Sequence, residues 1–338
     1  MKITKLHIQN YKSIKDLVIE NPNPFSVFVG PNGAGKSNIF DALEFVNFTV
    51  FGDVKQIINL FGGMQSVFNK NATMPNQFFS IEGEYGLLMD LLIHYIIEKN
   101  EPVGIYAAAH NGFDPDRKSD EKQYISMARE YKHLVLDFSR IFLNNSSIKK
   151  LNKEDDSVLN LDGSNLEKVL SRILHDTNKR EEIVEWLQVL IPEFKDIQIE
   201  TSSLSGEVSY AIYEKHTNKP FPKHLISDGT KNILSLLTAV YQSDVPQFLC
   251  IEEPENGLHP HVIRELVSLF RSACKEKGHY IWLNTHSETL VRQLTADEII
   301  VVDKKEGATN VRQFQGENLF GLKMDEAWLT NALGGGLP

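Results

Sequence analysis

The chain has 338 residues, 41% of them hydrophobic and 24% charged, which suits a globular protein with room for one large domain or two ordinary ones. Acidic residues outnumber basic ones 45 to 35, and the net charge of −10 excludes a strong overall positive field for gripping nucleic acid, so any DNA contact must come from a local patch, a dimer groove or a partner. No apolar run approaches a membrane span, no signal-type leader precedes the first strand pattern, and the two cysteines, Cys250 and Cys274, are too few for a metal cluster and read as reduced core thiols; a cytoplasmic protein with no membrane partner is expected.

In chain order, Ile3, Leu6 and Ile8 and then Leu17-Val18-Ile19 predict two short strands joined at Asn10-Tyr11-Lys12-Ser13, a hairpin expected to lie beside the next strand, Phe25-Ser26-Val27-Phe28-Val29. That strand runs into Gly30-Pro31-Asn32-Gly33-Ala34-Gly35-Lys36-Ser37, which fits the phosphate-binding pattern G-x-x-x-x-G-K-[ST]. A helix from about 36 to 48 follows, with Ile39, Phe40, Leu43 and Val46 on its apolar face. Strand, loop and helix in this order carry a mechanism. The glycines let backbone N–H groups wrap a phosphate at the positive end of a helix, Lys36 reaches the β- and γ-phosphates of ATP, and the Ser37 hydroxyl holds Mg²⁺.

The next stretch is less regular. Phe61-Gly62-Gly63 interrupts it, and residues 78–85 resume a strand pattern. Between 87 and 110, two apolar runs around Asn100-Glu101-Pro102 fit a hairpin or a buried helix, with strands preferred. Residues 114–132 mix both charge signs, with Arg117, Lys118, Lys122, Arg129 and Lys132 as a local basic cluster, and read as a loop and an exposed helix. Behind Asp162-Gly163-Ser164, which supplies a capping residue, Leu166, Val169, Leu170, Ile173 and Leu174 predict a helix; a second runs from about 179 to 190 and stops at Pro192. Ile197 and Ile199, then Val208, Tyr210 and Ile212, alternate like strands.

The second half has an α/β rhythm. Ser227-Asp228-Gly229-Thr230 caps a helix with Ile233, Leu236, Leu237, Val240 and Tyr241 on its apolar face; the strand 247–251 then ends in Glu252-Glu253-Pro254-Glu255. A helix from about 260 to 276, a strand 280–283 ending at Asn284-Thr285-His286-Ser287, and a strand 299–302 follow. The alternation predicts a parallel sheet covered by helices, on which ligands sit at the carboxyl ends of the strands, where Gly30, Glu252 and His286 fall. Two acids at a strand end after such a loop fit a Walker B segment, Glu252 orienting Mg²⁺ and Glu253 polarising the attacking water; acids set at a helix N-terminus to suit its dipole are the plainer alternative.

With these segments together, the chain resembles the ATP-binding-cassette ATPases. Ser227-Asp228-Gly229-Thr230 is similar to their signature, Pro254-Glu255-Asn256-Gly257-Leu258-His259-Pro260 to their D-loop region, and Thr285-His286-Ser287 to their switch histidine. Ile8-Gln9-Asn10-Tyr11-Lys12-Ser13-Ile14, the Gly30-Pro31-Asn32-Gly33 form of the loop and the Glu252–Pro260 run resemble the SMC, RecF and OLD-like group, AAA-family ATPases of prokaryotic defence and repair operons, rather than transporters. Asp228 and Glu252 depart from the commoner glycine and aspartate; Gln65 is a candidate for the Q-loop by position; no heptad arm is present, and about fifty residues after His286 are too few for an appended nuclease.

The resemblance implies an α/β P-loop fold of cassette type, with head segments at 1–54 and 196–338 and an inserted, mainly helical subdomain at 55–195. It implies that Gly30, Pro31, Asn32, Gly33, Ala34, Gly35, Lys36, Ser37, Asn38 and Lys12 contact ATP, that Ser37 and Glu252 serve Mg²⁺, and that Glu253 and His286 are catalytic. Ser227 and Gly229 would meet the γ-phosphate held by a second copy docked head to tail, making a homodimer or higher homo-oligomer. The expected function is an ATP-hydrolysing, dimerising switch in anti-phage defence or DNA repair, working with a separate nuclease or toxin and conceivably DNA; the energising subunit of a transporter is the alternative from another class.

Overall fold

The computed structural model describes residues 2–51, 54–72, 76–83, 88–98, 101–108, 138–143, 156–202, 206–315, 323–330 and 332–333. In chain order the elements are strands β1 (Ile3–Tyr11), β2 (Ile14–Glu20) and β3 (Phe25–Val29), helices α1 (Lys36–Phe51), α2 (Val54–Leu60) and α3 (Met64–Val67), and strands β4 (Asn76–Gly83), β5 (Leu88–Glu98), β6 (Glu101–Ala108) and β7 (Phe138–Ile141). Then come α4 (Leu166–Leu174), α5 (Thr177–Leu190), β8 (Phe194–Thr201), β9 (Val208–Glu214), β10 (Phe221–Pro222), α6 (Asp228–Tyr241) and β11 (Phe248–Glu252). The last are α7 (Pro260–Lys277), β12 (Tyr280–Asn284), α8 (Glu288–Val291), β13 (Ile299–Lys305), β14 (Ala308–Gln313) and α9 (Met324–Leu329). They form two compact units, Met1–Phe138 with Leu294–Pro338, and Ser139–Gln293. The boundaries expected at 54 and 195 divide the chain differently.

In the first unit, β1 and β2 form the predicted hairpin, with Leu6 opposite Ile19 and Ile8 opposite Leu17. It does not lie beside β3. The hairpin continues into an antiparallel sheet of order β2-β1-β4-β5-β6, whereas β3 pairs in parallel with β13, Val27 facing Ile299, and β14 runs antiparallel on β13. Burial explains the separation. Strands β1 and β2 bury some positions and leave others half or fully exposed, as suits an antiparallel sheet with one covered face, whereas all five residues of β3 are buried, as a parallel strand covered on both sides requires. The apolar runs between 87 and 110 are strands β5 and β6, so this part of the expected helical insert is β-structure. The charged stretch 114–132 lies outside the described residues.

Helix α1 is buried on more than its predicted stripe: Ala42 and Phe45 join Ile39, Phe40, Leu43 and Val46 in the core. Phe40 meets Phe28 edge-on at 5.3 Å, and Phe45 packs against Tyr11 and Phe61 at 5.4 and 5.2 Å. A helix so enclosed holds its first turn, and with it the loop that precedes it, in one position.

In the second unit, β11 and β12 are parallel and in register from Phe248 opposite Tyr280 to Glu252 opposite Asn284, in the order β12-β11-β7. Every residue of both strands is buried. Helix α6 packs Ile233 through Tyr241 into the core, and α7 starts on Pro260 and ends at Gly278, whose φ of 69° closes the helix in the left-handed conformation. Strands β8 and β9 form an antiparallel hairpin extended by β10. None of Asp162, Gly163 and Ser164, expected to supply the cap, holds the cap position of α4. Asn165 occupies that position, but its side chain accepts the Asn160 amide at 2.8 Å and donates to the Val158 carbonyl at 2.9 Å, so it braces the preceding loop instead.

His279 begins the turn into β12 and is 1% exposed. Its Nδ1 accepts the Gln247 amide at 3.3 Å, so Nε2 carries the proton and donates to the Val240 carbonyl at 3.2 Å. Burial lowers its pKa from 6.5 to about 4, with the hydrogen bond to Val240 opposing and Lys277 assisting. The unfolded chain therefore takes up a proton that the folded chain refuses, and stability that is complete above pH 6.5 is lost as the pH falls toward 4. Thermal melting between these values is expected to show a falling midpoint, and His279→Gln should remove that part of the slope; a flat wild-type profile would mean that the ring is not held neutral.

Candidate functional site

The loop 30–37 leaves the end of β3 and enters α1 at Lys36. Two of its glycines are required by contact as well as conformation. At Gly30, φ 152°, a Cβ would overlap the Val302 carbonyl of β13, and at Gly35, φ 104°, it would overlap the Thr309 hydroxyl of β14. The loop is held from outside by a relay of hydrogen bonds. Asn38 Nδ2 donates to Ser13 Oγ at 2.7 Å, Ser13 to Thr309 Oγ1 at 2.6 Å, and Thr309 Oγ1 to the Ala34 carbonyl at 2.8 Å. Thr309 also donates its backbone N–H to the Ser13 carbonyl at 2.9 Å. Thr309 carries no sequence signal, because it lies 296 residues from Ser13 on a plain edge strand.

Lys36 is 5% exposed, and its Nζ donates to the carbonyls of Gly30 at 2.7 Å and Pro31 at 3.1 Å, folded over its own loop. Lys12, at the hairpin turn with φ 48°, pairs with Asp41 of α1, which also accepts the Tyr11 hydroxyl at 2.6 Å. Beside them opens a cavity of about 590 Å³ whose lining includes Lys12, Ser13, Gln65, Phe68, Lys70 and Lys304. Gln65 is exposed on the short helix α3 rather than at a strand end.

The second unit gathers the acids. Glu252, the last residue of β11, has a side chain only 1% exposed; Arg140 of β7 reaches its Oε1 through Nε at 2.8 Å and through Nη2, and Asn284 Nδ2 donates to its Oε2 at 3.2 Å. The next residue, Glu253, stands at φ 49°, a left-handed conformation that costs a non-glycine residue of order 1 kcal/mol and that clusters at functional sites. Its N–H donates to the Asn284 carbonyl at 2.8 Å and its Oε2 accepts Asn256 Nδ2 at 2.8 Å, while His286 Nε2 stands 4.0 Å from its Oε1. Glu255 ties the turn to the histidine segment: its Oε1 accepts the Thr285 hydroxyl and, at 3.1 Å, the His286 N–H. Burial pushes the Glu255 pKa up, against these hydrogen bonds, and its Oε2 is buried without a partner among the described residues.

Ser227 caps α6, its Oγ accepting the Thr230 N–H at 3.2 Å, and the Asp228 side chain beside it is 95% exposed. A Cβ on Gly229 would stand 2.8 Å from the Gly257 carbonyl, so signature and acidic turn touch where only glycine fits. Glu253 and His286 thus lie 4.0 Å apart, and Arg140, Asn284, Asn256 and Glu255 surround the acidic turn. Glu255, Asn256 and Asn284 lie inside segments the sequence singles out, without a role of their own there, whereas Arg140 does not stand out, because its role depends on a partner on β11.

The donor chemistry fits ATP with Mg²⁺. A buried lysine over positive-φ glycines suits a polyphosphate, and hydroxyl and carboxylate oxygens are the hard donors that Mg²⁺ prefers. Among the described residues no group of three His, Cys, Asp or Glu could hold a metal. Among them, too, no helix is long and apolar enough to cross a membrane.

A solved structure described as the "SmcHead bound to the C-winged helix domain of ScpA" is similar at a TM-score of 0.65 and 17% identity, over 97% of this chain and all of that one. The loop and this likeness therefore define an α/β P-loop fold of the SMC-head type. The family described as "AAA domain, putative AbiEii toxin, Type IV TA system" matches residues 25–85 and 62–292, and the chain belongs to it. An "ATP/GTP phosphatase" of Helicobacter pylori is 19% identical over 97% of this chain and 94% of its own length. The "Chromosome partition protein Smc" of Methanocaldococcus jannaschii is 50% identical over 44 residues, and the match spans only 4% of that protein's length.

Two substitutions separate binding from turnover. Lys36→Ala removes the buried cation of the loop and is expected to lose ATP affinity. Glu253→Gln keeps the shape and removes the base, so it should bind ATP and hydrolyse it at least about a hundredfold more slowly. Nucleotide titration and phosphate release measure the two effects, and wild-type turnover by Glu253→Gln would sink the assignment of the base.

Proposed function

We propose that this protein is an ATP-hydrolysing, dimerising switch of the SMC/RecF/OLD-like group, acting as a sensor or regulator in anti-phage defence or DNA repair through a separate nuclease or toxin. One observation carries the hydrolytic part: Glu253 is held in a strained left-handed conformation with His286 4.0 Å away, at the end of the strand that bears the Walker-type acids. In this reading the loop amides and Lys36 bind the β- and γ-phosphates, and Glu253 takes the proton of the attacking water. His286 sits at the γ-phosphate, its backbone held by Glu255. Mg²⁺, when bound, would neutralise charge on the phosphates, with the Ser37 hydroxyl as a ligand and Glu252 behind it. The cavity next to Lys12, with Phe68 on its wall, suits a base and ribose.

Ser227 and Gly229 support the dimer. They stand at the start of a fourteen-residue helix at the surface, where Asp228 is paired with Lys231 at 3.1 Å, an anion site presented outward, as a phosphate held by a second copy would need. ATP then joins two heads and hydrolysis releases them. A separate effector is favoured by the net charge of −10, which suits a protein partner better than bare nucleic acid. The ScpA domain on the similar head supports a protein docking on such a fold. No observation favours the transporter alternative.

Ser227→Arg tests the dimer. It should leave ATP binding by the monomer intact while abolishing turnover and ATP-driven association, measured by phosphate release and light scattering. The same dimer with and without ATP in wild type and variant would overturn the sandwich.

A further inference from the structure

In the buried Arg140–Glu252 pair the acid ends the Walker-type strand, whereas the arginine belongs to no motif of the sequence. Its arginine comes from a strand 112 residues upstream, the side chains are 4% and 1% exposed, Nε and Nη2 of the guanidinium reach the same carboxylate oxygen, Oε1, and the Asn284 amide donates to Oε2. A buried arginine costs much desolvation, and a fold keeps one where it has a fixed anion to hold. Here that anion is the acid expected to serve the metal. With one oxygen taken by a cation and the other by an amide, Glu252 has little room to bond a metal directly, and its charge is already cancelled.

We propose that Arg140 is the positioning residue of the metal acid. It holds Glu252 as an acceptor for a metal-bound water, and by cancelling the carboxylate charge it keeps the acid from collecting a divalent cation until nucleotide phosphates bring one. The inference rests on the reading of Glu252 as the metal acid. Its consequence runs against the usual expectation for a variant near a metal: loss of Arg140 strengthens metal binding without nucleotide and weakens turnover with it.

The test is titration of nucleotide-free, full-length protein with Mn²⁺, read from the electron-paramagnetic signal of the free ion, beside ATP turnover in Mg²⁺. Arg140→Gln is expected to bind Mn²⁺ at least about tenfold more tightly than wild type, within the range that groups behind a metal ligand exert on affinity. Its kcat should fall while the KM for ATP stays within about twofold, since the phosphate loop is untouched. Arg140→Lys retains the charge without the fork; it should keep wild-type Mn²⁺ affinity and recover part of the lost kcat. Unchanged Mn²⁺ affinity in Arg140→Gln, with turnover falling only as the melting midpoint falls, would reduce Arg140 to a structural partner and overturn the proposal. Should Arg140→Gln not fold, the lysine variant decides: reduced kcat at wild-type KM and melting midpoint supports the positioning role, and wild-type kcat overturns it. Glu252→Gln tells the two failures apart. If it leaves the Mg²⁺ dependence of turnover unchanged, the reading of Glu252 falls; if it shifts that dependence while Arg140→Gln leaves Mn²⁺ affinity alone, only the role of Arg140 falls.

Discussion

The parallel register that sets Glu252 of β11 opposite Asn284 of β12 governs the whole acidic site. Asn284 acts twice from that position: its side-chain amide holds Glu252 Oε2, and its backbone carbonyl takes the Glu253 N–H. The second bond falls just where the chain turns left-handed, so it helps hold Glu253 in a conformation that an isolated peptide would leave. The residues after Asn284 then bring Thr285 and His286 against Glu255. A slip of one residue would carry every side chain of β12 to the opposite face and dissolve each of these contacts at once. Complete burial of both strands, with Trp282 edge-on to Phe248 at 4.8 Å, opposes such a slip.

The phosphate loop depends on a different kind of restraint. Within the loop the Ala34 N–H donates to the Pro31 carbonyl at 3.2 Å, and amides kept for an anion leave further bracing to carbonyls and side chains. The relay from Asn38 through Ser13 and Thr309 to the Ala34 carbonyl does this from the hairpin and from β14, and the enclosed helix α1 does it from behind. Replacing Gly35 would strike the middle of the relay rather than the ligand side.

What could be read from sequence follows from these two restraints. The loop, the acidic strand end and the Ser227 cap are contiguous patterns with a local mechanism, and local mechanism survives folding. The hairpin was recognisable for the same reason, yet its neighbour was not, because the choice between β3 and β4 depends on how many faces each strand buries. The Asn165 site shows the limit from the other side. The capping pattern pointed to Asp162-Gly163-Ser164, whereas the helix starts behind Asn165, whose side chain is taken by two groups of the preceding loop. Arg140 and Thr309 were beyond reach, since an arginine and a threonine on ordinary strands mean nothing until the partner is known.

Three carboxylates lie within four residues at the end of β11, and the surroundings give each a different office. Glu252 is enclosed with a guanidinium on one oxygen, so it offers a fixed dipole more than a mobile charge. Glu255 has one oxygen committed to Thr285 and His286 and the other buried, and burial favours its protonated form, which fits a structural clasp on the histidine segment. Glu253 keeps about one third of its side chain exposed, faces an imidazole and is aimed by a strained backbone and by Asn256. Environments that separate like groups in this way are how a site assigns acid and base roles among identical side chains. The proposed role of Glu253 as the base therefore rests on the enclosure of its two neighbours as much as on its own position.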